Sequence, residues 1–220
     1  MKNISLVLLV LVSQFLHAQV DSSKLAKYSP SFKFKEGIYL NFEQVKSNSP
    51  LTKSKIVTNV DFNSLDFFEL ILKEKTISFF DNFGSKKSVK SDNIWGYCRQ
   101  GILFVQWNNE INRIPIIGKI CHFVSNETVY QEGGYSPSAS YNYYDQMRMP
   151  VYQSKELRQY IIDFETGKIM EYDKESLKVI LMRDPKLYEE FNELKRRKQR
   201  KMKYLYLRKY NLRNPLYIQR

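Results

Sequence analysis

Side chains able to act as catalysts are few in this chain. Histidine occurs twice, at His17 and His122, and His122 lies within the apolar run ICHFV, which is typical of a strand interior. A lone histidine there favours a structural role and cannot build a zinc site from several histidines. The motifs of serine hydrolases, redox dithiols, phosphate-binding glycine loops and zinc proteases do not occur. The sequence therefore favours a non-enzymatic protein with no cofactor and no metal.

One catalytic alternative remains open, because glycoside hydrolysis requires only two carboxylates at a suitable separation. Several acidic residues lie in or near turns indicated by the sequence, and nothing in their spacing selects a pair. These residues are Asp81, Glu110, Glu132, Asp145, Asp163 and Glu165. An envelope hydrolase that uses two of them is the third and least favoured hypothesis.

The strongest charge feature is a basic segment near the C-terminus. Residues 185–220 contain twelve Lys or Arg and three Glu, a local charge of +9 in a chain whose formal total is +12. Clustered positive charge attracts polyanions, although many such runs are simply solvated helix faces. Seven of the twelve lie within residues 195–203, which we call the basic segment: Lys195, Arg196, Arg197, Lys198, Arg200, Lys201 and Lys203.

The N-terminus predicts the compartment in which those charges act. Residues 1–18 have a positive start at Lys2, an apolar run and a small residue at Ala18, the pattern of a secretory signal peptide. We expect an exported protein, periplasmic, cell-surface or secreted, with no transmembrane span in the mature chain. Nucleic acid is then disfavoured as a partner. An anionic envelope component or an acidic protein partner is favoured instead.

A second candidate binding region is a loop predicted over residues 131–150. Its aromatic side chains have flat faces and hydroxyl tips, which suit sugar rings or a peptide. They are Tyr135, Tyr141, Tyr143 and Tyr144. A glycan-binding or peptide-binding module that uses this loop is the alternative to the basic segment, and a solvent-exposed insertion is the simpler interpretation.

Two cysteines, Cys98 and Cys121, would lie in an oxidising compartment after export. A disulfide between them is therefore one expectation. Two buried free thiols that pack as small apolar side chains are the other. Spacing along the sequence does not decide between these alternatives.

The elements that must position these residues are mostly short strands. IWGYCR and ILFVQW flank a tight turn at Gln100 and Gly101, and LRQYIIDF and KIMEYD flank a turn at residues 165–167, so both pairs predict hairpins. Tight turns imply antiparallel pairing. We expect an α+β fold: a mainly antiparallel sheet, as a sandwich or open barrel, with C-terminal helices.

The stretch DFFELILKE at 66–74 fits either a short helix or a strand, and the clearer helix signals lie in the last part of the chain. Asp173 can cap a helix over residues 174–183, and Asp184 followed by Pro185 indicates a second helix start. Leu187, Phe191 and Leu194 repeat at helical spacing, and the same apolar stripe is expected to resume at Met202 and Leu205. The basic residues between them are expected to stand in water.

This pattern divides the chain into a signal peptide (1–18), an antiparallel β domain (19–172) and a basic helical segment (173–220). The stretches GIYLNFEQVKSNSP at 37–50, IWGYCRQGILFVQW at 94–107 and RIPIIGKICHF at 113–123, together with the C-terminal basic segment, resemble a family of uncharacterised exported proteins of Bacteroidetes-type Gram-negative bacteria. The resemblance implies a location outside the cytoplasm and a single unit that extends to the C-terminus. It implies no catalytic or binding residues.

Overall fold

Antiparallel sheets followed by helices make up the structure, as the alternation of short apolar runs and turns predicts. The computed structural model describes residues 25–132 and 151–220, and within them lie five helices and twelve strands. The strands are β1 (Leu25–Lys27), β2 (Gly37–Tyr39), β3 (Ile56–Val57), β4 (Thr76–Phe80), β5 (Lys86–Lys90), β6 (Gly96–Arg99), β7 (Ile102–Trp107), β8 (Glu110–Arg113), β9 (Ile120–Glu132), β10 (Val151–Asp163), β11 (Ile169–Glu171) and β12 (Tyr217–Gln219). The helices are α1 (Phe42–Lys46), α2 (Phe67–Lys73), α3 (Lys174–Leu181), α4 (Pro185–Asn192) and α5 (Arg196–Arg213).

The strands form four antiparallel groups within the described residues. Their orders are β2-β6-β7-β8, β3-β4-β5, β11-β10-β9 and the pair β1-β12. The predicted hairpin at Gln100 and Gly101 is confirmed as β6-β7, and both turn residues have positive φ, as a tight hairpin turn requires. The second predicted hairpin is confirmed as β10-β11. The fold class is therefore α+β with open, mostly antiparallel sheets.

The long pair β9-β10 separates two cores, because successive side chains of a strand point to opposite faces. On one face, Phe123 and Ile162 pack into a core shared with β2, β6, β7 and β12. On the other face, Ile120 and Ile161 pack against the helices α3, α4 and α5. A third core lies between α2, the sheet β3-β4-β5 and residues of β2 and β6, including Ile38 and Tyr97.

The helical layer begins as the sequence predicts. Asp173 caps α3 by accepting the N–H of Ser176, and Asp184 caps α4, with Pro185 in the first helical position, by accepting the N–H of Leu187. The predicted apolar stripe holds at Met202, which packs against the core around the helices, and is wrong at Leu205, because α4 ends at Asn192 and α5 starts afresh at Arg196. The break changes the helical phase, so Leu205 is 47% exposed while other residues of α5 face the core.

The last residues of the chain return to the β structure. Strand β12 pairs antiparallel with β1, with Ile218 opposite Ala26. Leu216 and Ile218 are buried in the same core as Phe123. Helix α5 is therefore held at its far end by a strand.

The expected disulfide between Cys98 and Cys121 is not formed, and both cysteines are buried free thiols. Each thiol donates to a different backbone carbonyl, Cys98 to Phe34 and Cys121 to Gly118, both at 3.4 Å. Both residues lie in the apolar core, where burial raises the pKa of each thiol to about 12. They act as small core side chains, which is the other expectation from the sequence.

Candidate functional site

The basic segment forms the beginning of α5, where its charges are exposed and unpaired. Six of the seven side chains are solvent-exposed, and none of the six has an acidic partner within 4.0 Å among the described residues. We call these six the basic surface: Lys195, Arg196, Arg197, Lys198, Arg200 and Lys201. They surround the first turns of one helix, so the surface presents positive charge in several directions at once.

The position of these charges in the helix is unfavourable. The first turn of α5 contains no acidic residue, and the N-cap residue Lys195 makes no side-chain capping hydrogen bond. The helix dipole places positive charge at this end, so each added cation costs about 0.3–1 kcal/mol. Arg196 with Arg200, and Arg197 with Lys201, are also like-charged pairs at i,i+4 spacing. This arrangement of cations lowers the stability of the helix, and a bound anion would offset the repulsion between them.

A buried glutamine anchors the basic surface to the protein. Gln199 lies within the basic run but is buried, and its Nε2 donates to the carbonyl oxygen of Phe191 at 3.0 Å, at the end of α4. That bond ties the second turn of α5 to the preceding helix. The cations on either side of Gln199 are consequently held on a fixed backbone.

The second half of α5 packs into the core through one face, and two of its three charges, those of Lys209 and Arg213, are paired. Tyr206, Leu207 and Tyr210 are buried in the helical core, and Asn211 exchanges two 2.8 Å hydrogen bonds with the backbone of Ile120. Lys209 pairs with Glu190 at 3.1 Å, and Arg213 pairs with Asp184 at 2.9 Å. This half of the helix is a structural anchor.

Lys203 differs from the six residues of the basic surface. It is half-buried, its Nζ donates to the carbonyl oxygen of Tyr172, and it lies 4.4 Å from the centre of the Tyr172 ring. Burial lowers the pKa of Lys203. Its charge is engaged by the protein, so we assign Lys203 to packing.

The lone histidine is part of this packing. His122 is buried on the helical side of β9, its ring meets the Tyr172 ring edge to face at 4.9 Å, and its Nε2 lies 3.2 Å from Oε1 of Gln159. Burial lowers the pKa of His122. No acidic or nucleophilic side chain is bonded to it among the described residues, so the geometry is that of a structural residue.

The acidic residues of the hydrolase hypothesis do not form a catalytic pair in the described part of the chain. Asp163 and Glu165 lie near each other, and both are bound by Arg183: Asp163 by two 2.8 Å hydrogen bonds and Glu165 at 3.2 Å. Burial alone would raise the pKa of Asp163, but the hydrogen bonds from Arg183 and Thr166 outweigh it and hold this pKa below its usual range. A general acid requires the opposite shift.

The other acidic candidates are dispersed. Asp81 closes the turn between β4 and β5, where Lys87 pairs with it at 3.0 Å. Glu110 begins β8 and lies 4.0 Å from Lys155. The side chain of Glu132 and the whole of Asp145 lie outside the described residues.

Two regions singled out by the sequence cannot be placed. The signal peptide at 1–18 lies outside the described residues, and so do residues 133–150 of the loop predicted at 131–150, with Tyr135, Tyr141, Tyr143 and Tyr144. Residues 131 and 132 are the end of β9 and not part of a loop.

Comparisons of the chain with protein-family models, with curated proteins and with solved structures find no match. Among the residues that the structure describes, no helix is long and apolar enough to cross a membrane.

Proposed function

We propose that this chain is an exported, non-enzymatic protein of the cell envelope that binds an anionic envelope component or an acidic protein partner through the basic surface of α5. The observation that carries the proposal is the set of six exposed cations at the start of α5 that have no acidic partner among the described residues. Export rests on the signal-peptide pattern of residues 1–18.

Two further features support a binding role for these charges. Their place at the positive end of a helix disfavours them energetically, so they are not explained by the stability of the fold. The anchor through Gln199 and the packed second half of α5 fix the helix before any ligand arrives. A preorganised surface loses less conformational freedom on binding.

The chemistry of the surface favours multivalent oxyanions. The three arginines, Arg196, Arg197 and Arg200, present planar guanidinium groups that match phosphate and carboxylate oxygens in bidentate geometry. The lysines add charge without such directionality. Phosphate groups of lipopolysaccharide and the carboxylates of an acidic polysaccharide or protein have this character.

A charge-removal experiment tests the proposal. Lys195, Arg196, Arg197 and Lys198 are replaced together by Gln, and retention on immobilised lipopolysaccharide and on polygalacturonate is measured across a salt gradient. We expect affinity to fall about tenfold or more and its salt dependence to weaken, because exposed charges act through screened Coulomb attraction.

A matched control distinguishes the effect of this surface from the effect of total charge. Lys27, Lys33, Lys73 and Lys168 are exposed lysines in other parts of the molecule, and changing all four to Gln removes the same charge. Retention of this control should resemble that of the unmodified protein. If the two quadruple variants lose affinity equally, or if neither loses any, the basic surface is not the binding site.

A further inference from the structure

The turn between β4 and β5 presents a nearly fully exposed phenylalanine. Phe83, in this turn, is 94% exposed, and Phe80, the last residue of β4, is 43% exposed. The neighbouring residues Ile77 and Phe79 are buried in the core beneath the sheet. Two aromatic side chains therefore extend from a hairpin whose other apolar residues are already packed.

The turn is held in a defined conformation. One carboxylate oxygen of Asp81 accepts the N–H groups of Phe83 and Ser85, both at 2.9 Å, and the other pairs with Lys87 at 3.0 Å. Gly84 has φ of +77°, a left-handed conformation that glycine adopts without strain. These bonds fix the backbone on both sides of Phe83, so the ring is displayed by a rigid turn.

Lysines accompany the exposed rings on the same face of the sheet. In the β4-β5 register, Phe80 lies opposite Lys86 and Thr76 lies opposite Lys90, so all four side chains share the outer face. Both lysines are exposed. No acidic residue occurs at the outer-face positions of these two strands, which also include Ser78 and Ser88. The tip is thus apolar at its apex and cationic along its side.

We propose that this hairpin tip docks on an anionic lipid surface. Phe83 and Phe80 enter the boundary between headgroups and acyl chains, and Lys86 lies at the level of the lipid phosphates. Lys90, four residues further along β5, lies about 13 Å farther from the tip and adds a weaker attraction. An aromatic apex with flanking lysines suits the sharp change from polar to apolar surroundings at a bilayer surface. The tip is convex, and its charge complements anionic headgroups. This surface is separate in sequence from α5, and the inference does not depend on the proposed function.

Phe83→Ser is the primary test, with binding measured by sedimentation with vesicles that contain phosphatidylglycerol and phosphatidylethanolamine. Burial of one phenylalanine predicts about a tenfold loss of partitioning in the variant, at low and at high salt. Lys86→Gln should cost about fivefold at low salt only, and Lys90→Gln should cost less, because Lys90 lies farther from the tip. Leu212→Ser is the matched control, because Leu212 is 80% exposed on α5 and has no place in the tip.

A second measurement reports insertion directly. Phe83→Trp keeps an aromatic apex, and its tryptophan emission, after subtraction of the signal from Trp95 and Trp107, should shift to shorter wavelength when the vesicles are added. The same shift should persist when Lys195, Arg196, Arg197 and Lys198 are Gln in the same molecule, at a vesicle concentration that saturates binding.

The inference is overturned if Phe83→Ser binds the vesicles as well as the unmodified protein, or if the Phe83→Trp emission is unchanged by them. Loss of binding in the α5 variant together with normal binding of Phe83→Ser would leave the proposed function intact and remove this inference. If Phe83 is needed only to retain a protein partner, and vesicle binding is unaffected, the tip is a protein contact and the lipid proposal fails.

Discussion

The first half of α5, residues 196–204 with the N-cap residue Lys195, is mostly exposed, whereas the second half, residues 205–213, packs one face into the core. In the second half, Tyr206, Leu207 and Tyr210 are buried, and Lys209 and Arg213 have acidic partners. In the first half, six cations stand in water without such partners among the described residues. Three residues connect the first half to the core: the buried Gln199, and the partly buried Met202 and Lys203.

This difference separates residues that stabilise the fold from residues that are available to a ligand. Buried groups contribute through apolar area and satisfied hydrogen bonds, so their loss should lower the free energy of unfolding. Exposed unpaired cations at a helix start contribute unfavourably to stability. Mutations in the two halves should therefore move stability in opposite directions.

Leu207→Ala should produce the largest effect on stability. Leu207 is fully buried in the helical core, and removing its side chain leaves a cavity that costs about 2–5 kcal/mol of the free energy of unfolding. Leu205→Ala, in the exposed neighbouring position, should stay within about 0.5 kcal/mol of the unmodified protein. Urea denaturation measures both. Equal losses for the two variants would mean that α5 packs through a different face.

Asp163→Asn should have the next largest effect, because it removes a charge that the fold does use. The buried carboxylate of Asp163 accepts two hydrogen bonds from Arg183 and one from Thr166, and charge-assisted bonds of this kind contribute about 1.5–3 kcal/mol. Arg183 is partly exposed and keeps Glu165 as a partner, so we expect a loss near the lower value.

The same residue predicts a dependence on pH. The folded-state pKa of Asp163 lies below its unfolded value, so its contribution is fully present above an unfolded pKa of about 3.9 and is lost as pH falls through the folded pKa. Acid titration of the free energy of unfolding should show this loss in the unmodified protein and a smaller loss in Asp163→Asn. Parallel acid profiles would exclude the pair as a source of acid sensitivity.

Local signals in the sequence predicted local structure well. The Gln100–Gly101 turn, the cap at Asp173 and the Asp184–Pro185 helix start each depend on a few adjacent residues, and the structure confirms all three. The antiparallel fold class follows from such turns, since they leave no room for parallel crossovers.

Features that depend on distant partners were not predictable from the same patterns. The apolar stripe failed at Leu205 because the chain breaks after Asn192, and the break is held by Gln199, a polar residue whose buried side chain donates to the carbonyl oxygen of Phe191. The sequence left open whether Cys98 and Cys121 form a disulfide or remain free thiols, because the answer depends on where separate strands place them within the core. The exposure of Phe83 was not predicted, because a single aromatic residue in a turn gives no periodic signal.

Arg197→Glu should have the smallest effect on stability, with the opposite sign. The change places a carboxylate in the first turn of α5 and turns the like-charged pair with Lys201 into an attractive one, so the free energy of unfolding should rise by about 0.3–1 kcal/mol. Retention on lipopolysaccharide should fall in the same molecule. Arg208→Glu, on an exposed position near the middle of α5, lacks the dipole contribution and should not gain this stability. A loss of stability in Arg197→Glu would show that Arg197 stabilises the fold. It would then belong with the residues of the second half of the helix and not with the basic surface.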